Sequence, residues 1–117
     1  MILVIGAIAS GKLNYVKSLG YSDKDIADGV IDERPVINNL QDMIFSDPRG
    51  AGDFFNLLLQ KEVIVCNEVG SGIIPINRTE REAREAVGRL CNQLAREAKI
   101  VIRMVCGIPN VIKGEDR

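Results

Sequence analysis

The sequence predicts a single α/β domain in three layers, with helices on both faces of a mostly parallel sheet. Short apolar runs alternate with helix-like segments over the whole length, and the runs are continuously apolar, as in strands buried on both faces. Hydrophobic residues make up 46% of the chain and charged residues 26%, a composition that excludes disorder and collagen-like repeats. At 117 residues we expect one domain, residues 1–117.

The predicted elements follow one another closely. Apolar runs predict strands at residues 2–5, 36–37, 63–66 and 100–106. Helical spacing predicts helices at residues 12–19, 39–45, 54–61 and 79–98. The segment from Tyr21 to Arg34 is polar, and Ser22 with Asp25 at capping-box spacing allows at most a short helix there. We expect Gly107 and Pro109 to close the last strand, with a polar tail after it.

Two capping residues are predicted for the later helices. Asp53 precedes the segment at 54–61 and can cap it. Thr79 and Glu82, three residues apart, form a capping box at the start of the longest helix. Behind it, apolar residues recur at steps of three or four and predict its buried face: Ala83, Val87, Leu90, Leu94 and Ala98.

The chain contains no histidine. This excludes Ser-His and Cys-His dyads, a histidine-ligated metal ion, and any intermediate that carries a phosphate or a nucleotide on an imidazole. Cys66, Cys91 and Cys106 are odd in number and widely spaced, which fits neither a disulfide framework nor a cysteine-rich metal site. We therefore expect reduced thiols and a cytoplasmic location.

Charge and hydropathy limit the expected partners. Fifteen Lys and Arg balance sixteen Asp and Glu, so the net charge is −1 and broad electrostatic binding of nucleic acid or acidic membrane is not expected. The N-terminal apolar run has no basic segment before it and meets Gly6 long before the roughly 20 apolar residues of a membrane span. We expect no nucleic-acid partner, no targeting segment and no membrane span.

Residues 6–12 fit the pattern G-x-x-x-x-G-K and lie between the first predicted strand and the first helix. Glycines allow backbone N–H groups to point inward, the helix N-terminus adds the positive end of its dipole, and the lysine places an ammonium between two phosphates. The alternative is a glycine-rich turn with a lysine that reaches solvent, and we favour phosphate binding. The candidate binding residues are Gly6, Ala7, Ile8, Ala9, Ser10, Gly11, Lys12 and Leu13.

Leu13 occupies the position at which this pattern normally has Ser or Thr. The hydroxyl of that residue holds Mg²⁺, and a leucine cannot coordinate a metal. The sequence itself therefore assigns no metal ligand, and efficient Mg²⁺-dependent catalysis is left open.

Glu68 follows the predicted strand at 63–66, at the carboxyl end of the sheet, where open α/β folds bind their ligands. A carboxylate there can orient a hydroxyl nucleophile or bind Mg²⁺ through water. Alternatively, Asn67 and Glu68 cap a turn in which Gly70 and Gly72 supply positive φ angles. The residues alone leave both interpretations open.

The stretch Asn67-Glu68-Val69-Gly70-x-Gly72-Ile73-x-Pro75 resembles the hallmark of the bifunctional adenosylcobinamide kinase / adenosylcobinamide-phosphate guanylyltransferase family of cobalamin biosynthesis. Further matching residues are Arg84, Gly88, Asn92, Gln93, Ala95, Gly107, Ile108 and Pro109. Residues 1–12 are also similar to the family's first strand and phosphate loop. The likeness is colinear over these parts and weak between them.

The resemblance implies a RecA-like P-loop NTPase fold and ATP- or GTP-dependent phosphorylation of the hydroxyl of adenosylcobinamide. It further implies transfer of GMP from GTP to the product through a guanylylated histidine. By this resemblance Lys12 and Glu68 are the candidate catalytic residues: Lys12 stabilises the transferring phosphoryl group, and Glu68 positions the hydroxyl or a Mg²⁺-bound water. The implied partners are a nucleotide and a corrinoid. Members of the family form small homo-oligomers. Three apolar loop residues are available for such contacts, although we expect most apolar loop residues to be buried against the sheet instead: Ile73, Ile74 and Ile76.

The chain also departs from the family pattern. It is shortened between about residues 20 and 40, where the family carries its nucleophilic histidine. The family's Walker-B-like strand ends in an aspartate, and the best match here is the neutral Asn38, with Asp32 as the alternative under another strand register. We expect a weakened Mg²⁺ site and loss of the guanylyltransferase step. Three hypotheses follow: a reduced kinase, an impaired paralogue that binds nucleotide or corrinoid as a partner or regulatory protein, and a fragment-like member with little activity.

Overall fold

The computed structural model describes residues 1–68 and 77–114. In this part of the chain six strands form one sheet in the order β2-β3-β4-β1-β5-β6, with β6 antiparallel to β5 and the other neighbours parallel. The strands are β1 (Ile2–Gly6), β2 (Ile26–Asp28), β3 (Val36–Asn38), β4 (Val63–Asn67), β5 (Ile100–Val105) and β6 (Ile108–Lys113). The α-helices are α1 (Lys12–Ser18), α2 (Leu40–Ser46), α3 (Phe55–Leu58) and α4 (Arg78–Glu97). The predicted α/β class with a mostly parallel sheet is confirmed.

Helices pack on both faces of the sheet. On one face, Val16 of α1 packs with Val4 and other strand residues in a buried cluster. On the other face, Leu58 of α3 and Leu94 of α4 pack with Ile64 in a larger cluster to which α2 also contributes. All five side chains have no exposed surface. Alternate residues of β1, β3, β4 and β5 therefore face different helices, which explains why these runs are continuously apolar.

The long helix α4 begins one residue earlier than predicted. Asn77 precedes it, and the Asn77 side chain accepts a hydrogen bond from the backbone N–H of Glu80 at 2.7 Å. The predicted capping box of Thr79 and Glu82 is therefore wrong, because Thr79 already lies within the first turn. The five apolar residues predicted to face the core are all buried.

The segment before β4 also differs from its prediction. Residues Pro48–Phe54 form a 3-10 helix that is capped by Asp47, whose side chain accepts from the N–H of Gly50 at 3.2 Å. Asp53 lies inside this helix, so its predicted role as a cap is wrong. Pro48 explains the earlier start, because proline lacks the N–H that a first helical residue would leave unpaired.

Two strands were not predicted. The short helix expected near Ser22 is present as a 3-10 helix at Asp23–Asp25 with its capping box, and β2 follows it at once. The strand β6 follows a two-residue turn in which Cys106 and Gly107 have φ angles of 51° and 77°. The predicted strand at 100–106 therefore ends before Gly107, but it is not the last strand, and Pro109 lies within β6. Proline is tolerated in β6 because this strand lies at the sheet edge.

Some predictions fall on residues 69–76 and 115–117, which lie outside the described residues. These are the turn glycines Gly70 and Gly72, the end of the polar tail, and the apolar residues at 73, 74 and 76. Among the helices of the described ranges, none is both long enough and apolar enough to cross a membrane.

Candidate phosphate-binding site

The predicted phosphate loop lies at the carboxyl edge of the sheet. Gly6 ends β1 and Lys12 begins α1, so the residues between them connect strand and helix directly. Ala9 and Gly11 adopt left-handed φ angles of 60° and 92°, and the N–H of Ser10 donates to Ala7 O at 3.2 Å. The chain thus turns twice within a few residues, as a loop that wraps an anion must.

Close packing explains both glycines of the loop. A Cβ atom on Gly6 would lie 2.5 Å from Ser10 Oγ and 2.8 Å from Met104 O. A Cβ on Gly11 would lie 3.1 Å from the Cα of Gly107, in a conformation that already favours glycine. Gly107 in turn donates its N–H to Ser10 O at 3.0 Å. The turn between β5 and β6 therefore supports the loop from behind.

Lys12 is buried against its own loop, with 8% of its surface exposed. Its Nζ donates to Ala7 O at 2.6 Å and lies 3.5 Å from Ser10 Oγ. Burial lowers the pKa of Lys12, while the charges of Cys66 and Glu68 oppose this shift. A negatively charged ligand in the loop would strengthen the charged state of this ammonium, since an opposite charge offsets the desolvation.

A cleft of about 450 Å³ opens in front of the loop. Residues 8–14 form one side, and three asparagines at the ends of the neighbouring strands, Asn38, Asn39 and Asn67, form the other. Among the described residues that line this cleft, Lys12 carries the one full charge. The cleft is therefore positive at the loop and neutral but polar opposite it, a distribution that suits a phosphate chain.

A chain of hydrogen bonds orients the Asn39 side chain and ties it, through Gln41, to the backbone of Asn67. Gln41 donates from Nε2 to Asn39 Oδ1 at 3.1 Å and accepts from the N–H of Asn67 at 2.9 Å. Asn39 Nδ2 donates to Asp28 Oδ1 at 2.6 Å. Our sequence prediction missed Asn39, Gln41 and Asp28. The signal for Asn39 was a pair of asparagines directly after an apolar run, because asparagine tolerates the left-handed conformation found there.

The residues near the loop do not fit the Mg²⁺ ligands that the resemblance implies. Leu13 packs its side chain with the buried cluster beneath α1, and Asn38 offers a neutral amide where a carboxylate is expected. Within the described residues there is no group of three or more metal-ligating side chains. The described side chains around this cleft therefore do not fit an inner-sphere Mg²⁺ site.

Asp32, the alternative to Asn38, lies elsewhere. Arg34 donates from Nη2 to its Oδ2 at 2.6 Å, and both residues precede β3. Lys61, which precedes β4, donates from Nζ to the carbonyl oxygens of both. This cluster is at the amino ends of the strands, whereas the phosphate loop is at the carboxyl ends.

Glu68 lies beside the loop but faces away from its cleft. Its backbone N–H donates to Gly6 O at 2.8 Å, while its carboxylate accepts two hydrogen bonds from Arg103. Glu68 lines a second cleft of about 190 Å³, together with Asn67, Cys91 and other residues. The structure thus brings Lys12 and Asn38 to one cleft and separates Glu68 from them. Arg103 was missed, although a charged residue inside an apolar strand was a usable signal.

A first strand that ends in a glycine-bounded loop, with a buried lysine at the start of the next helix, defines a P-loop NTPase-like domain. The family model for cobinamide kinase / cobinamide phosphate guanyltransferase matches residues 51–112. That is more than half of the chain, and the chain belongs to this family. The matched range includes Glu68 and Arg103 and does not include the phosphate loop.

Two curated relatives are similar to part of this chain. Both carry the name "Bifunctional adenosylcobalamin biosynthesis protein CobU", one from Escherichia coli (strain K12) and one from Salmonella typhimurium (strain LT2). Each is 47% identical to this chain over 53 residues. The aligned stretch covers 45% of this chain and 29% of each relative, so it spans less than a third of their length.

Proposed function

We propose that this chain is a nucleotide-dependent kinase of cobalamin biosynthesis, which phosphorylates adenosylcobinamide with ATP or GTP. The single observation that carries the proposal is the buried Lys12 ammonium, which closes a glycine-bounded loop in front of a polar cleft. Family membership supports the substrate class, because the family is described as a cobinamide kinase.

In this proposal the loop binds the phosphates and Lys12 neutralises the charge on the transferring group. The acceptor hydroxyl attacks the γ-phosphorus and loses its proton to solvent. The bond from the γ-phosphorus to the bridging oxygen breaks, and the nucleoside diphosphate leaves with that electron pair. Phosphoryl transfer depends mainly on positioning and charge stabilisation, and both can come from a fixed loop. The arrangement of the asparagines supports this role, since they supply neutral donors and acceptors opposite the loop.

Glu68 is proposed to position the acceptor hydroxyl from the neighbouring cleft. Its backbone is tied to Gly6, so its place relative to the loop is fixed. Its carboxylate accepts two hydrogen bonds from Arg103. The substrate therefore either displaces Arg103 or binds to the intact ion pair. A corrinoid is large and rich in amides, and it would extend beyond this cleft.

The guanylyltransferase step is proposed to be absent from this chain. A transfer through guanylylated histidine needs an imidazole, and the sequence contains none. The kinase reaction needs no histidine. In this proposal the chain therefore keeps the kinase activity of the family without its guanylyltransferase activity.

A second candidate is a catalytically impaired paralogue that binds nucleotide or corrinoid as a partner or regulatory protein. Leu13 and Asn38 favour it, because neither supplies the metal ligand that the family pattern has at its position. We also propose a cytoplasmic location, which fits three free cysteines, and a homo-oligomeric assembly by analogy with the family.

Equilibrium binding of ATP and GTP tests the loop. In Lys12→Ala we expect the affinity to fall at least tenfold, about 1.4 kcal/mol, because the buried ammonium is lost. Lys17→Ala is the matched control, since Lys17 lies on the same helix and its ion pair with Asp23 is exposed. An unchanged affinity in Lys12→Ala would refute the kinase proposal and the nucleotide-binding form of the second candidate.

Product formation separates the two candidates. The chain is incubated with adenosylcobinamide and ATP or GTP, over a titration of Mg²⁺, and mass spectrometry detects the phosphorylated corrinoid. Metal-dependent product identifies the kinase. Nucleotide binding that depends on Lys12, without product at any Mg²⁺ concentration, identifies the binding protein.

A further inference from the structure

Two thiols meet where β4 packs against α4. Cys66 is the next-to-last residue of β4 and has no exposed surface, and Cys91 lies in the second half of α4. Their Sγ atoms are 3.6 Å apart. They are 25 residues apart in the sequence, so spacing gave no sign of a pair and the fold creates the contact. The third cysteine, Cys106, is exposed in the turn between β5 and β6.

The pair is close enough to be joined with little movement. Sulfur atoms in a disulfide are about 2.05 Å apart, so the two side chains must approach by roughly 1.5 Å. A strand and the helix packed on it hold the two backbones together. Because the two thiols are already in contact, disulfide formation needs no unfolding of β4 or α4.

Solvent reaches the pair from one side. Cys91 lines the cleft of about 190 Å³ that also contains Glu68 and Asn92, and that volume admits molecules of the size of water or hydrogen peroxide. The hydrogen bond between the two thiols lowers the pKa of Cys91, and the same bond together with burial raises the pKa of Cys66. Cys91 is thus the accessible thiol and the one more readily ionised.

We propose that Cys66 and Cys91 form a redox-modification site, at which a two-electron oxidant of the peroxide class converts the two thiols into an intramolecular disulfide. The Cys91 thiolate attacks one oxygen of hydrogen peroxide, the O–O bond breaks, and hydroxide leaves and becomes water. Cys66 then attacks the sulfenic sulfur, the S–O bond breaks, and a second water leaves with the Cys66 proton. Two thiols are oxidised by two electrons, and one peroxide is reduced to two waters.

The disulfide links the strand that ends in Asn67 to the helix beside Glu68. Asn67 lines both the phosphate-loop cleft and the second cleft, so the disulfide fixes the part of the chain that separates them. The site itself depends neither on nucleotide nor on corrinoid, so it stands independently of the proposed function.

The test uses the folded full chain with the exposed thiol removed, Cys106→Ser, so that disulfides between chains cannot form through it. Hydrogen peroxide is added, and intact mass is measured after denaturation without reductant. We expect the loss of the mass of two hydrogen atoms and of both titratable thiols. Digestion with trypsin should give one cross-linked product that joins residues 62–78 to residues 90–96. Dithiothreitol should reverse both changes.

Cys91→Ser in the same background is the control, and it should show no mass loss. Wild type treated in the same way should give the same cross-linked peptide, which checks that the Cys106→Ser change has no effect on the pair. Addition of oxygen atoms without the cross-linked peptide would overturn the proposal. So would unreacted thiols in the folded chain under conditions that oxidise the denatured chain.

Discussion

Glu68 and Arg103 form a two-point ion pair that passes over the end of β1. Arg103 Nε donates to Glu68 Oε1 at 2.6 Å, and Nη2 donates to Oε2 at 3.1 Å. Glu68 directly follows β4, and Arg103 lies inside β5 opposite Ile5 of β1. The strands β4 and β5 lie on either side of β1. Both side chains are partly exposed, at 25% and 50%, so the pair is open to a ligand and contributes little to stability by itself.

Replacement of Glu68 separates catalysis from nucleotide binding. In Glu68→Gln we expect product formation to fall at least tenfold, about 1.4 kcal/mol of transition-state stabilisation, because the amide no longer orients the acceptor hydroxyl. Nucleotide affinity should stay within about twofold, since Glu68 does not line the phosphate-loop cleft. Glu85→Gln on the exposed side of α4 is the control. Equal turnover in wild type and Glu68→Gln would show that Glu68 has no role in the reaction.

Restoring the missing metal ligands should increase activity if the chain is a weakened kinase. Leu13→Ser returns a hydroxyl to the loop, and Asn38→Asp returns a carboxylate to the opposite wall of the same cleft. Each recovered 1.36 kcal/mol of transition-state stabilisation raises the rate about tenfold. We expect the double variant to exceed either single variant in phosphorylation of adenosylcobinamide at saturating Mg²⁺.

The same variants distinguish the binding-protein alternative. If the acceptor site is also lost, neither change produces turnover. Turnover in wild type as fast as in the double variant would show that positions 13 and 38 are not limiting.

Incubation with GTP should leave no GMP on the chain. A guanylylated histidine cannot form because the sequence contains no histidine. Intact mass spectrometry after incubation with GTP and Mg²⁺ measures this directly, with ATP as the parallel sample. An adduct of GMP mass would show that another nucleophile, such as a lysine, has taken over the step.

The contribution of Asp32 to stability should disappear at low pH. The side-chain hydrogen bonds from Arg34, helped by its backbone N–H, lower the pKa of Asp32 to about 2 from a usual value of 3.8. A carboxyl group with a lowered pKa stabilises the fold above its unfolded pKa, and this contribution disappears as the pH falls through the folded pKa. We expect wild type to exceed Asp32→Asn in stability at pH 6 and to lose that advantage between about pH 4 and pH 2.

Urea unfolding at a series of pH values measures the difference between the two chains. Asp53→Asn serves as the comparison for a carboxylate in the 3-10 helix at Pro48–Phe54, away from Arg34. A difference between wild type and Asp32→Asn that does not change with pH would contradict the prediction.

The sequence was sufficient where the determinants are local. The loop between β1 and α1 was predicted because its glycines and its lysine form a short sequence pattern. The contacts of Gly6 with Met104 and of Gly11 with Gly107 could not be predicted in this way. The buried strands β1 and β4 were predicted because continuous apolar runs reflect burial on both faces. The buried face of α4 was predicted from helical spacing. The first residue of α4 was not, because it depends on whether Asn77 or Thr79 caps the helix.

The sequence was insufficient where a partner far along the chain decides the outcome. A proline in β6 suggests the end of a strand, and only its position at the sheet edge makes it acceptable. β2 has three residues and exists because β3 pairs with it. The contacts of Arg103 with Glu68 and of Cys91 with Cys66 join separate elements, so no local pattern announces them.

The hydrogen bond from the N–H of Gly107 to Ser10 O has a consequence for the order of folding. It joins an early loop to a late turn, and contacts between residues so distant in sequence form slowly because a long segment must first be ordered. We expect the phosphate loop to reach its final shape only after the hairpin of β5 and β6 has docked beside β1. During synthesis the loop would then leave the ribosome before β5 and β6 and become competent for a ligand only after them.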